Sequence, residues 1–234
     1  APDGFSNSLK ISVGTAESTL AADELLVLQQ LVEAQNLQHL QNGSSGAVSV
    51  TLSFWVRSSK TGTYTAAIRK PDNTDRNQSK EYTISSADTW EHKTLTFSGD
   101  TSGGGIANDN GAGFFIDWWL AGGSNFTGGT MDVWANTAAQ RLSTNQVNLM
   151  DSTSNDWYIT GVQLEVGEAT PFEHRSFQDE ITRCKRYYQK SFPYGTAPFN
   201  NAGQGGTRWD ERTAVWPPNS YSSSTYTGAW CHLS

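Results

Sequence analysis

The sequence predicts an all-β fold: an antiparallel sandwich, then one α-helix, then an irregular C-terminal arm with little β-structure. Three observations carry this. About eight short runs of alternating apolar and polar residues are spaced along the 234-residue chain with no helix between them, which favours antiparallel pairing over a parallel α/β arrangement. Aromatic residues make up 12% of the chain and charged residues 17%, and Gly, Ser, Thr and Asn are abundant, as short strands joined by polar turns require. The third observation is the stretch from Asn155 to Lys190, which reads continuously as strand, turn and helix.

In chain order, Leu9, Ile11 and Val13 alternate with polar neighbours and give a first short strand. Residues 21–41 place Leu25, Leu28, Val32 and later leucines at helical spacing, so the pattern alone gives a helix, and Asn42-Gly43 then marks a turn. From Val48 to Arg57 the alternation is regular, with Val48, Val50, Leu52, Phe54 and Val56 on one face and Ser49, Thr51, Ser53, Trp55 and Arg57 on the other. Thr61-Gly62 turns the chain into a strand over 64–69, and 71–80, rich in Asp and Asn, reads as a long exposed loop. Strands follow over 81–85 and 92–97, separated by a turn that carries Trp90. The glycine-rich run 98–113 reads as a loop at one end of the sandwich, 114–120 as a strand and Met131 to Trp134 as another, while 145–156 is too polar to place.

The closing strand spans 157–166, with Tyr158, Thr160, Val162, Leu164 and Val166 on one face and Ile159, Gly161, Gln163 and Glu165 on the other. Gly167 and Pro171 end the pairing. Ser176 is an N-cap, and Asp179 and Glu180 at the start with Arg183, Lys185, Arg186 and Lys190 toward the end give the charge order that a helix dipole favours. Phe177, Ile181, Cys184 and Tyr188 share one face of this helix, which is expected to be buried. Beyond Lys190 no period is sustained, which gives an extended arm or a truncated second domain. The expected organisation is a sandwich over 1–176, a helix over 177–190 docking on or leaving it, and an extension over 191–234.

Several function classes are excluded by composition and motif. The net charge of -7 argues against nucleic acid as a partner, because such affinity rests on clustered Lys and Arg. No apolar run reaches membrane-spanning length, and residues 1–8 have neither the basic nor the apolar part of a signal peptide. Cys184 and Cys231 are expected as free thiols. His39, His92, His174 and His232 lack metal-ligand spacing, no cofactor motif occurs, and Glu165, Glu173 and Asp117 read as strand or surface carboxylates rather than a glycosidase pair. No catalytic constellation is found, so an enzyme is not expected and no cofactor is implied.

The run TGVQLEVG at 160–167, ATPFEHRS at 169–176 and CKRYYQKS at 184–191 resembles a module that recurs in bacteriophage tail-fibre and other virion surface proteins. The resemblance extends through LSFWVRSSKTGTY at 52–64, DTWEHKTLTFSGDTSG at 88–103 and GSNF at 123–126, covering most of residues 1–192. It implies a jelly-roll β-sandwich like that of carbohydrate-binding modules. For residues 21–41 it implies a strand at about 25–33 and a short helix at about 35–40 in place of the helix that spacing gives. Members of the family generally begin with a further segment, so the chain is expected to be an excerpt of a longer protein.

Trp55 alternates out of phase with Leu52, Phe54 and Val56, as Phe115, Asp117 and Trp119 do with Phe114, Ile116, Trp118 and Leu120. Aromatics at such positions stack on pyranose rings in jelly-roll modules, so Trp55, Phe115, Asp117 and Trp119 are candidates for a glycan or subunit contact. The alternative is that both sheet faces are buried. Asp100 and Asp109 are weak calcium candidates, though turn-forming Asx chemistry explains both. Two functions are carried forward. One is a structural protein of a virion (tail fibre, spike or capsid decoration), homotrimeric, in contact with other virion proteins at the virion surface after assembly in the host cytoplasm. The other is a module recognising host surface glycans.

Overall fold

The structure, a computed structural model, describes residues 1–74 and 76–188. It divides into a unit of Ala1–Glu173 and a second that begins at His174. The first unit contains nine strands: β1 (Leu9–Ser12), β2 (Leu25–Glu33), β3 (Val50–Ser58), β4 (Gly62–Lys70), β5 (Arg76–Ile84), β6 (Glu91–Phe97), β7 (Ala112–Gly122), β8 (Ala135–Asn136) and β9 (Asp156–Val166). They form a four-stranded sheet in the order β1-β9-β3-β6 and a five-stranded sheet in the order β2-β7-β4-β5-β8, with every pair antiparallel. Consecutive strands alternate between the sheets for much of the chain, as in a jelly roll.

The inner residues of β3 (Leu52, Phe54 and Val56) meet Ile68, Ile116, Trp118 and Leu120 of the other sheet in one core. Phe54 stands at its centre, edge-on to Tyr82 at 5.2 Å and to Trp118 at 5.9 Å. These are the offset geometries that aromatic quadrupoles favour. Val48, expected in the strand, lies before it and is exposed.

Residues 25–33 form a strand and 34–40 a 3-10 helix, so the helical spacing of the leucines does not decide their structure. Pairing with β7 supplies the backbone hydrogen bonds, and Leu26, Leu28 and Val32 pack on the core. The expected loop over 71–80 is instead a 3-10 turn (Pro71–Asn73) and the first half of β5. Its polar side chains are buried because each finds partners: Arg76 meets Asp100, and Gln78 Nε2 donates to Ser98 Oγ at 3.1 Å and to the Asp132 carbonyl at 3.0 Å. The strand expected at 131–134 is absent, and only Ala135–Asn136 pairs there, with β5.

The face assignment of β9 holds for only half its length. Trp157 and Ile159 are buried, yet Leu164 is the residue packed on the core farther along. The switch falls where Trp55 pairs with Thr160 and Ser53 with Gln163, leaving one extra residue on β9. Gly161 sits in this bulge at φ +59°, a left-handed conformation suited to glycine.

In the second unit, α1 (Phe177–Tyr187) is capped by Ser176, whose Oγ accepts from Asp179 N–H at 3.2 Å. It ends three residues before the expected Lys190, and no residue of it is buried. Phe177 is 81% exposed and Tyr188 54%. Cys184 is free and exposed, while Cys231 and the expected extension over 191–234 lie outside the described residues.

Candidate binding surfaces

The four residues singled out in the sequence do not converge. Trp55 is on the outer face of the four-stranded sheet, whereas Phe115, Asp117 and Trp119 are on the outer face of the five-stranded sheet.

Around Trp55, cross-strand register builds an aromatic band. One row runs Thr160–Trp55–His92 and the next Lys10–Tyr158–Arg57. Trp55 lies 5.1 Å from His92, and Tyr158 has the Arg57 guanidinium at 5.1 Å and the Lys10 ammonium at 5.4 Å from its ring centre. Trp90 meets Tyr158 edge-on at 6.2 Å and extends the band. Both cations are held in place: Arg57 bonds Asp88 at 2.9 Å and Lys10 bonds Asp156 at 3.0 Å. Hydrogen bonds from Ser12 and Lys10 keep the Asp156 carboxyl below the usual carboxylate range.

On the other flank, the N-terminal segment and the segment after β9 raise a rim. The Thr160 hydroxyl donates to the Asn7 carbonyl at 2.8 Å, Phe5 packs on Phe172 at 4.9 Å, and Glu173 N–H donates to Gln163 Oε1 at 2.8 Å. A methyl group on Gly161 would lie 2.7 Å from Phe5 and 3.2 Å from Trp55, so both rings rest on bare backbone there. Trp55, Trp90 and Tyr158 are all half-buried: braced at their edges yet open to solvent. Such rings offer flat apolar surface to a sugar's CH groups, with Arg57, Asp88, His92 and Thr160 nearby for its hydroxyls.

The other face departs from the sequence expectation. Trp119 is 2% exposed, covered by Phe126 at 5.3 Å and by Leu142, both carried by the segment after β7. Its ring is unavailable to a ligand or a second subunit because the chain covers it. Asp117 is also buried, with its carboxylate accepting from Gln29 Nε2 at 2.7 Å and Arg69 Nε at 3.2 Å. Burial raises its pKa, and the bonds from Gln29 and Arg69 oppose the shift. Phe115 is half-buried.

The calcium candidates are also corrected. Asp100 is fully buried and spends its oxygens on Lys70 at 2.5 Å and Arg76 at 2.6 Å, so protein cations already stand where a metal would. Asp109 Oδ1 accepts from Gly111 N–H in an exposed turn.

Tyr158, Trp90, His92, Phe5 and Phe172 were not singled out as binding residues. Their types are visible in the sequence, but the pairing of β1, β3, β6 and β9 that gathers them is not. No protein-family model and no curated protein matches the sequence. Among solved structures, a family 16 carbohydrate-binding module is similar at 11% identity and a TM-score of 0.33, covering 69% of this chain and 78% of its own. A structure described under family 4 carbohydrate-binding modules is similar at 12% identity and a TM-score of 0.35, covering 68% of this chain and 84% of its own.

Proposed function

We propose that the chain is a non-catalytic glycan-recognition module, and that the aromatic band around Trp55 is its binding surface. The observation that carries this is the contiguity of Trp55, Tyr158 and Trp90, braced and half-open on one sheet face with charged and hydroxyl groups among them. A ring stacked on a pyranose contributes about 1 kcal/mol, so loss of one ring weakens binding about fivefold. The test is a glycan array followed by titration of the bound glycan. Trp55→Ala is expected to weaken binding at least about fivefold while leaving the melting temperature within a few degrees. An array without a bound glycan, or affinity unchanged in Trp55→Ala, defeats the proposal.

The setting we propose for this module is the surface of a bacteriophage virion, as a fibre, spike or decoration subunit assembled as a homotrimer with other virion proteins. Its support is the resemblance of TGVQLEVG, ATPFE and CKRYY to virion surface proteins. Leu9, Leu25, Val162 and Val166 are also exposed, as surfaces covered in an assembly are. Trp119 no longer contributes, since its cover comes from its own chain. Light scattering during size exclusion is expected to give three times the chain mass, and a monomer would remove the trimer.

A further inference from the structure

The face that lost Trp119 retains another arrangement. Leu31 on β2, Phe115 on β7 and Arg69 on β4 form one cross-strand row, and Gln29, Asp117 and Ala67 form the next. The Arg69 guanidinium stacks 4.6 Å over the Phe115 ring. Its only hydrogen bond among the described residues runs from Nε to Asp117, so both terminal nitrogens of the fork are left to donate. The side chain is thus oriented by a buried carboxylate beneath and a ring beside it, which removes much of the entropy that an arginine loses on binding. Leu31, 52% exposed, extends the apolar surface beside Phe115.

Burial lowers the Arg141 pKa, and the positive charge of Arg69 adds to the shift. Against them stand Asp117, held by Gln29 and Arg69, and Glu33 at the end of β2, whose carboxylate accepts from Gln35. On a chain of net charge -7, the outward fork of Arg69 beside an apolar row marks a place for an anion attached to an apolar body.

We propose that this face is a second saccharide site, selective for acidic sugars, in which Arg69 takes the carboxylate or sulfate and the Phe115–Leu31 row takes the ring. A uronate or sialate fits this pattern: its charged group pairs with the fork, its CH face lies on Phe115, and a hydroxyl reaches Gln29. This site is separate from the Trp55 band, so either can exist without the other.

The test is titration of the full chain with 3′-sialyllactose, a hyaluronan tetrasaccharide, lactose and sodium acetate. An acidic oligosaccharide is expected to bind at least about tenfold more tightly than lactose, with affinity falling as salt rises. Arg69→Gln should abolish that preference, and Arg69→Lys should restore only part of it because the fork is lost. Since Arg69→Gln leaves Asp117 without its cation and can disturb folding, Leu31→Glu is the second variant. It changes an exposed side chain and sets a carboxylate beside the ligand's own, so acidic binding should fall about tenfold while Leu31→Gln keeps most of it. Equal affinity for lactose and the acidic sugars overturns the proposal, as does acetate binding as tightly as the acidic sugars, which would make this a simple anion site. Acidic preference that survives both Arg69→Gln and Leu31→Glu overturns it as well. Acidic binding that persists in Trp55→Ala supports it even if the Trp55 band binds nothing.

Discussion

Asp100→Asn should be among the most destabilising isosteric changes in the sandwich. The Asp100 carboxylate receives Lys70 Nζ at 2.5 Å, Arg76 Nη2 at 2.6 Å, Arg76 Nε at 2.9 Å and Gly103 N–H at 3.0 Å, while Lys70 also donates to the Gly104 carbonyl at 2.8 Å. Lys70 and Asp100 are both fully buried. The amide keeps the shape and removes the charge, so two cations are left enclosed with one neutral acceptor between them. Breaking a buried pair in this way costs about 3–5 kcal/mol, which lowers the melting temperature of a sandwich this size by about 6–20 °C. Lys70→Met should cost far less, since it leaves the bidentate Arg76–Asp100 pair neutral and replaces the ammonium by apolar volume. The pH dependence has a definite sign. Burial pushes the Asp100 pKa up, but the bonds from Arg76, Lys70 and Gly103 outweigh it and hold the carboxyl well below the usual carboxylate range. A depressed pKa contributes stability that is present above the unfolded value of about 4 and is lost as pH falls toward the folded value. Wild type should therefore lose stability through this acid window and Asp100→Asn much less. Thermal melts at neutral and acid pH read both effects; a neutral-pH loss below about 1 kcal/mol, or equal acid slopes, would refute the triad as a source of stability.

Two further changes follow from backbone geometry. Gly161→Ala places a methyl at φ +59°, 2.7 Å from Phe5 Cζ, so strain of about 1–2 kcal/mol and displacement of Phe5 are expected, read as a lower melting temperature and altered fluorescence of Trp55. Ser176→Ala removes the oxygen that accepts from Asp179 N–H, and a cap loss of about 1 kcal/mol should speed amide exchange in the first turn of α1 about fivefold, leaving the sandwich amides unchanged.

The sequence carried the strands whose patterns agree with their surroundings. β3 and β7 were legible because one alternating set in each is apolar throughout, Leu52, Phe54 and Val56 in the first and Phe114, Ile116, Trp118 and Leu120 in the second, and both sets enter the shared core. The first half of β5 was not, because Arg76 and Gln78 are polar residues made buriable by partners at 98–100 and 132, far away in sequence. The helical spacing at 25–33 misleads for a related reason: its pairing partner is β7, some ninety residues on, and local propensity yields to that ladder. In β9, the bulge at Gly161 and Val162 inverts the pattern, and nothing in the alternation marks where the extra residue falls.

Alternation identifies an outward residue but not the surface that it reaches. Trp55 and Trp119 are both out of phase with their core sets, yet β3 and β7 belong to different sheets, so the two rings stand on opposite faces of the sandwich. What separates them further lies in the connections. The segment after β7 folds back so that Leu142 N–H donates to the Phe126 carbonyl at 2.9 Å, which locks Phe126 and Leu142 over Trp119. The segments beside β9 rise only as far as Phe5 and Phe172, a rim and not a roof, because Gly161 lets them settle against the sheet edge. A ring beneath a roof belongs to a small second core and contributes stability. A ring beside a rim keeps a wet face. The same outward tryptophan is therefore enclosed or left half-open according to the loop above it, and loops of this kind are the part of a jelly roll that strand pattern constrains least.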